Sequence, residues 1–286
     1  MRSAPRMYEG RQLPNPDEEV FDQGLSFDVE TLLGRRRMLQ LAGFSVLGAA
    51  MAACGVSTKS GSSSMDTTVA STDTGSSSAG IVITEETAGP YPADGSNGPD
   101  VLTQSGIVRS DIRSSFGGLS GTAQGVPMTI ELAIEDASSS DSVANAAVYV
   151  WHCDRDGQYS LYTITDQNYL RGVQQAGNDG VVTFSSVFPA CYSGRWPHIH
   201  FEVYPDLAAA TSGSSRLATS QIALPEDVCN EVYATDGYSQ SVTNLQQVSL
   251  ATDLVFADDG GVHQIGTVTG SVSDGIKVEL SIPVTT

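Results

Sequence analysis

The chain has 286 residues, 40% of them hydrophobic, with 33 Asp and Glu against 14 Lys and Arg and a formal charge of -19. That length holds one large or two small domains, and so negative a surface repels phosphate backbones, which excludes nucleic acid as a partner. Four cysteines are too sparse for a disulfide scaffold of the small secreted type.

Residues 1–54 read as a targeting segment. A polar stretch with an acidic run at Asp17-Glu18-Glu19 leads to Arg35-Arg36-Arg37-Met38-Leu39 and an apolar run reaching Ala53. The run has the length of a signal-peptide hydrophobic region and is short for a membrane span. Paired arginines directly before it form the twin-arginine export pattern. It ends Met51-Ala52-Ala53-Cys54-Gly55, small residues before a cysteine as in a lipobox, with Met51 where Leu is usual. The expectation is an exported protein held to the cell membrane or surface only through lipid on Cys54; the alternative is a simple cleavage site with a free thiol.

Residues 55–80 form the next segment. Ser57 to Gly80 is rich in Ser, Thr, Gly and Asp and lacks aromatics, so it cannot bury enough apolar surface to fold. As a flexible tether it reaches about 27 Å root-mean-square.

Residues 81–286 form one domain. In chain order, Val126 to Ile134 alternates, with Met128, Ile130, Leu132 and Ile134 on one face. Ala147 to Trp151 is a continuous apolar run, as in a fully buried strand. Val181 to Phe188 follows the turn signal Asn178-Asp179-Gly180. Ile199 to Tyr204 and Ile276 to Val284 are further strands. Leu224 to Ala234 is a short helix, with Pro225 near its start and Glu226 and Asp227 in its first turn, whereas Ala208 to Ser214 reads as a flexible loop. Short strands at this spacing predict an all-β chain, an antiparallel β-sandwich with long loops.

The chemistry concentrates in Pro189 to Phe201. In a strand, residues i and i+2 share a face, so His198 and His200 can aim both imidazoles at one metal, beside Arg195 and Tyr192. Neither a third His nor a Glu lies where a standard two-histidine carboxylate site wants it; Glu202 has the right parity but reads as a turn-proximal polar residue. Tyrosine is the other candidate, since a phenolate is a hard anionic oxygen that a strong Lewis acid holds ionised. His152, beside Trp151, reads as support for its strand, and His263 as exposed in a Gly-rich turn.

On these residues the chain resembles the intradiol ring-cleavage dioxygenases, the protocatechuate and catechol dioxygenase family. Trp151-His152-Cys153-Asp154-Arg155-Asp156-Gly157-Gln158-Tyr159 looks like the strand and turn ending in the first ligand tyrosine. Tyr169-Leu170-Arg171-Gly172, Thr219-Ser220-Gln221 and Pro225-Glu226-Asp227 resemble flanking pieces. Thr87-Ala88-Gly89-Pro90-Tyr91 is similar to the substrate-side loop. The resemblance spans about residues 84–230. It implies a β-sandwich of the aromatic-ring dioxygenase type and an Fe(III) ion on Tyr159, Tyr192, His198 and His200. It also implies that Tyr192 leaves the metal when substrate binds, that Arg195 stabilises the ketonised catecholate, and that Gln221 stands near oxygen or substrate. The implied substrates are a catechol-type ring and O2, and the product a cis,cis-muconate; no organic cofactor is needed. Assembly into a homo-oligomer is left open. The rival readings are a metal-free surface β-sandwich that binds a ligand, and another two-histidine metalloenzyme. With Cys54 committed to lipid, three cysteines remain; Cys191 and Cys229 are expected to pair, leaving Cys153 a buried free thiol.

Overall fold

The computed structural model describes residues 80–286, together with the backbone of a small antiparallel hairpin, β1 (Met7–Tyr8) and β2 (Arg11–Gln12). The chain divides into the units Met1–Ser76 and Ser77–Thr286. The Arg35-Arg36 motif, Cys54 and the Ser/Thr/Gly-rich stretch up to Gly80 lie outside the described residues.

The second unit contains eight strands: β3 (Pro127–Asp136), β4 (Ala147–Trp151), β5 (Arg171–Gln175), β6 (Val181–Val187), β7 (His198–Tyr204), β8 (Ala218–Ala223), β9 (Thr267–Ser271) and β10 (Gly275–Val284). They form two four-stranded sheets, ordered β6-β3-β10-β9 and β5-β4-β7-β8. Period-two alternation sends Met128, Ile130, Leu132 and Ile134 of β3 and Ile276, Val278, Ile282 and Val284 of β10 inward. There they meet Val148, Val150, Ile199, Phe201 and Val203 of the facing sheet in one core. The sandwich is as expected, except that β10 runs parallel to β3, with Ile276 beside Met128 and Ile282 beside Ile134. Parallel neighbours need a long crossover; here the whole of the second sheet intervenes between them in sequence.

The second sheet is covered on both faces, and every residue of β4 and β7 is buried. Its outer face carries Tyr149, Trp151 and Tyr204. They pack with Ala93, Val101, Leu102 and Ile107 from the long segment before β3, and with Ala210 of α1 (Leu207–Ser212). The segment expected to be a flexible loop is therefore partly helical. Asp206 caps α1 through its carboxylate, which accepts the Ala209 N–H at 2.8 Å, and Gly213 at φ 64° ends it. The expected helix after β8 is α2 (Glu226–Tyr233), and α3 (Ser239–Leu245) follows.

Cys153 is a buried free thiol, as expected, but Cys191 and Cys229 are also buried free thiols and do not pair. Their sulfurs turn to different carbonyls: Cys191 Sγ to Arg195 O at 3.4 Å, and Cys229 Sγ to Leu224 O at 3.9 Å. His152 braces the two sheets. Its Nδ1 lies 2.7 Å from Cys153 O and its Nε2 2.7 Å from the Ser186 hydroxyl on β6. His263 is exposed.

Burial pushes the His152 imidazole down to about 4. The native state therefore binds fewer protons than the unfolded chain between these values, and stability falls with falling pH. We expect the His152 contribution to be complete above the unfolded value of about 6.5 and to drop by about 3 kcal/mol as pH falls towards 4. Urea unfolding of metal-free wild type and His152→Gln across this range measures it: the wild-type curve should be the steeper in pH, and parallel curves would refute the assignment.

Candidate metal centre

The alternation of β7 places His198, His200, Glu202 and Tyr204 on its outer face, opposite the core residues Ile199, Phe201 and Val203. The two imidazoles converge, with Nε2 atoms 3.1 Å apart. His198 Nδ1 sits 2.5 Å from Trp196 O. A carbonyl can only accept, so Nδ1 carries the proton and Nε2 presents its lone pair to the cluster. His200 stacks on its cross-strand partner Trp151, centroids 4.8 Å apart and planes 5° from parallel.

Tyr159 arrives from the turn after β4. Asp154 Oδ1 accepts the N–H groups of Asp156 and Gln158, both at 2.9 Å, and folds that turn. Gly157 has φ 79°, and a Cβ there would lie 3.0 Å from Tyr192 Cβ, so glycine serves both the turn and the close approach of the second tyrosine. Tyr159 OH then stands 3.4 Å from His198 Nε2 and 3.3 Å from His200 Nε2, and Tyr192 OH stands 3.3 Å from His198 Nε2. Over them lies the 87–91 loop. Gly89, at φ 69°, passes so near that a Cβ would be 3.2 Å from His200 Cε1, and the Tyr91 ring packs on Tyr159 at 4.7 Å.

Tyr159, His198 and His200 are 1–2% exposed, whereas Tyr192 is half-buried and reaches the rim. Burial, reinforced by Arg195, pushes His198 down to about 3; burial and His198 hold His200 well below the usual range. Burial raises Tyr159 well above 10, and raises Tyr192 to about 12 against the pull of Arg195. Four donor atoms thus crowd within 3.1–3.4 Å of a neighbour, all in neutral groups. Among the described residues no group of three or more His, Cys, Asp or Glu is placed to hold a metal ion; the donor set here is two imidazoles and two phenols. A tetrahedral cation with bonds of about 2.0–2.1 Å sets its ligands about 3.3 Å apart, the spacing of these atoms. A hard, strongly acidic cation suits phenol oxygens because it ionises them. The residues present fit ferric iron.

Arg195 lies beside this cluster and is held from two sides. Its guanidinium donates to Asp253 Oδ2 at 2.9 Å and Oδ1 at 3.4 Å, and to Gln221 Oε1 at 2.7 Å. Gln221, on β8 opposite His200, donates in turn to Thr87 O at 2.8 Å. Its amide is thus engaged with Arg195 and the 87–91 loop. Asp253 was not visible as a site residue in the sequence. It is buried, and its carboxylate also accepts the Trp196 N–H at 2.7 Å and the N–H groups of Val255 and Phe256. Burial alone would raise this carboxyl; Arg195 holds it below its usual value. Its only local signal is a Thr252-Asp253 capping pattern before a short helical turn; the arginine it serves is 58 residues away. Glu202, weighed above as a ligand or a turn-proximal residue, is neither: it is fully buried and bonded to Tyr204 OH at 2.6 Å and to Arg216.

No family model matches the chain, and no curated protein matches it. Solved structures do. The intradiol ring-cleavage dioxygenase from Tetranychus urticae is 23% identical with a TM-score of 0.57, the match covering 72% of this chain and 95% of that one. A second structure described as a dioxygenase is 22% identical with a TM-score of 0.57, over 72% of this chain and 94% of that one. At this identity the likeness establishes a shared fold: the described domain has the all-β sandwich of an intradiol ring-cleavage dioxygenase.

The Arg195–Asp253 pair is buried on the acid side, with the carboxylate side chain 0% exposed and the guanidinium 12%. Breaking such a pair leaves an unanswered charge and costs about 3–5 kcal/mol. Asp253→Asn should therefore lower the free energy of unfolding by about 3 kcal/mol, read from urea denaturation. A loss below about 1 kcal/mol, the scale of exposed pairs, would mean that Asp253 does not anchor Arg195.

Proposed function

We propose that this domain is a ferric-iron intradiol dioxygenase that opens a catechol-type ring between its two hydroxyl-bearing carbons with O2, giving a cis,cis-muconate-type product. The observation that carries the reading is the convergence of Tyr159, Tyr192, His198 and His200, with donor atoms 3.1–3.4 Å apart, on a sandwich shared with a ring-cleavage dioxygenase. These four residues would hold the iron, which when bound supplies a Lewis acid that takes up charge from the phenols and from a deprotonated catechol.

The chain's own groups supply the rest. Tyr192 is the one member of the cluster at the rim, and its phenol pKa is held at about 12. As the phenolate that bound iron would hold, its oxygen would be a base strong enough to accept a proton from an incoming catechol hydroxyl. Arg195, fixed by Asp253 and Gln221, offers a preorganised positive charge for electron density that shifts onto a ring oxygen. Tyr91 covers Tyr159, and with Gly89 above His200 it keeps bulk water off the buried donors.

The purified protein loaded with ferric iron should be red-brown from phenolate-to-iron charge transfer, and should consume O2 with a catechol. His198→Ala and His200→Ala should each lose most of the iron, measured by metal analysis, and Tyr159→Phe should change the spectrum. Colourless iron-loaded wild type, or unchanged colour in both Tyr159→Phe and Tyr192→Phe, would sink the reading and favour another two-histidine metalloprotein or a metal-free binding module.

The proposed setting is extracytoplasmic, the protein being exported by the twin-arginine route and lipid-anchored through Cys54. The support is the Arg35-Arg36 pair before an apolar run that ends at Cys54. Cys54→Ala should release a soluble domain. Cell fractionation that still finds this variant in the membrane would show that lipid on Cys54 is not the anchor.

A further inference from the structure

The chain that leads into Tyr192 lies in no strand, yet its backbone is held residue by residue. β6 ends at Val187, and Phe188, Pro189, Ala190 and Cys191 run on, all buried. Buried backbone that leaves a sheet must find other partners for its N–H and C=O groups. Four of those partners are side chains from one place, the α2–α3 pair. Tyr238, just before α3, donates its hydroxyl to Phe188 O at 2.8 Å. Tyr233, the last residue of α2, donates to Pro189 O at 3.1 Å. Ser241 Oγ accepts the Cys191 N–H at 3.1 Å, and Asn244 Nδ2 donates to Cys191 O at 2.8 Å.

Ser241 and Asn244 stand three apart and so share a face of α3. That face catches both backbone polar groups of the residue before Tyr192. The Ala190 N–H goes elsewhere, to Asp154 O at 3.1 Å, in the turn that delivers Tyr159. Both phenol-bearing segments are thereby tied at their roots. The hold stops at Tyr192. Ser193 and Gly194 are exposed, and Gly194, at φ 84°, has nothing within 4 Å of where a Cβ would stand. The Tyr192 ring itself meets cluster members edge-on, Tyr159 at 6.0 Å and His198 at 5.6 Å between centroids.

We propose that the α2–α3 pair is the positioning frame of Tyr192. Tyr233, Tyr238, Ser241 and Asn244 fix where its backbone stands, and so where its oxygen meets the other donors. This rests on the ferric-iron reading above and deepens it with residues that are not among the four cluster donors.

Asn244 is half-buried and nearest to Tyr192 in this frame, which makes it the residue to test. In Asn244→Asp an ionised carboxylate of the same shape has no hydrogen to give Cys191 O. Asn244→Ala removes the donor without adding charge. The measurements are the phenolate-to-iron absorption of the full-length iron-loaded protein and the rate of iron release to a chelator. Each substitution is made in wild type and in Tyr192→Phe. In wild type both should weaken or shift the absorption and speed iron release by about fivefold, the factor that one ordinary hydrogen bond is worth. In Tyr192→Phe they should change neither, because the ligand they position is gone. Equal effects in the two backgrounds would make α3 a general structural support and overturn the proposal, as would no effect in either. A colourless iron-loaded wild type would instead overturn the ferric-iron reading.

Discussion

Everything about this site follows from burying both faces of β7. A strand at the middle of a sandwich ordinarily hides one face and shows the other to water. Here the second face carries His198, His200, Glu202 and Tyr204, and all four are buried beneath the segment before β3 and α1. Polar side chains in that position must be answered by partners or stay neutral. Along the strand the answers differ. Glu202 keeps a charge partner in Arg216 and a donor in Tyr204. Towards the His198 end the answers are two phenols, and they leave the histidines neutral and their Nε2 atoms in contact. One strand thus carries a satisfied ion pair at one end and a set of convergent donor atoms at the other.

The cover over that face is held by a second buried cation. Arg171, the first residue of β5, reaches from the sheet to the carbonyls of Tyr91 and Pro92 and to both oxygens of Ser160. It therefore ties the 87–91 loop to the turn that delivers Tyr159. Hydrogen bonds from a charged donor to neutral oxygens are stronger than neutral ones, and these four, shared among Tyr91, Pro92 and Ser160, leave little play between loop and turn. The distance from Gly89 to His200 and the packing of Tyr91 on Tyr159 are consequences of this staple as much as of the local sequence.

Much of this was legible in the chain. The alternation of Met128 to Ile134 and of Ile276 to Ile282 marked β3 and β10, and the unbroken apolar run Ala147 to Trp151 marked a strand buried on both faces. The parity of His198 and His200 put both on one face before any coordinates. What escaped was of two kinds. Alternation is the same whether neighbours run parallel or antiparallel, so the β3–β10 pairing could not be read from it. Contacts between remote segments were equally silent: nothing around Asp253 points to Arg195, and nothing around Gln221 points to Thr87. The α1 helix had a signal in Asp206 and Gly213, an N-cap and a left-handed end seven residues apart, but the small residues between them weigh towards a loop by composition. The cysteines erred the other way: three thiols in a domain expected to be exported suggest a bridge, yet burial holds Cys191 and Cys229 as separate core residues.

The neutral state of the cluster also sets its energetics. Burial has moved the two histidines down and the two tyrosines up, so the folded protein pre-selects imidazoles without a second proton and phenols that keep theirs. For the histidines this is the state a cation needs. For the tyrosines it is the opposite, and loading a trivalent ion must release both phenolic protons. On the proposed ferric-iron reading, metal uptake would be coupled to pH through the tyrosines, since burial holds the histidines below their usual range. A divalent cation has less charge with which to offset burying two phenolates than a trivalent one. If a cation is loaded, the two anionic oxygens would favour a trivalent ion over a divalent one, and the cost of ionising them is what burial adds, eased at Tyr192 by the Arg195 charge.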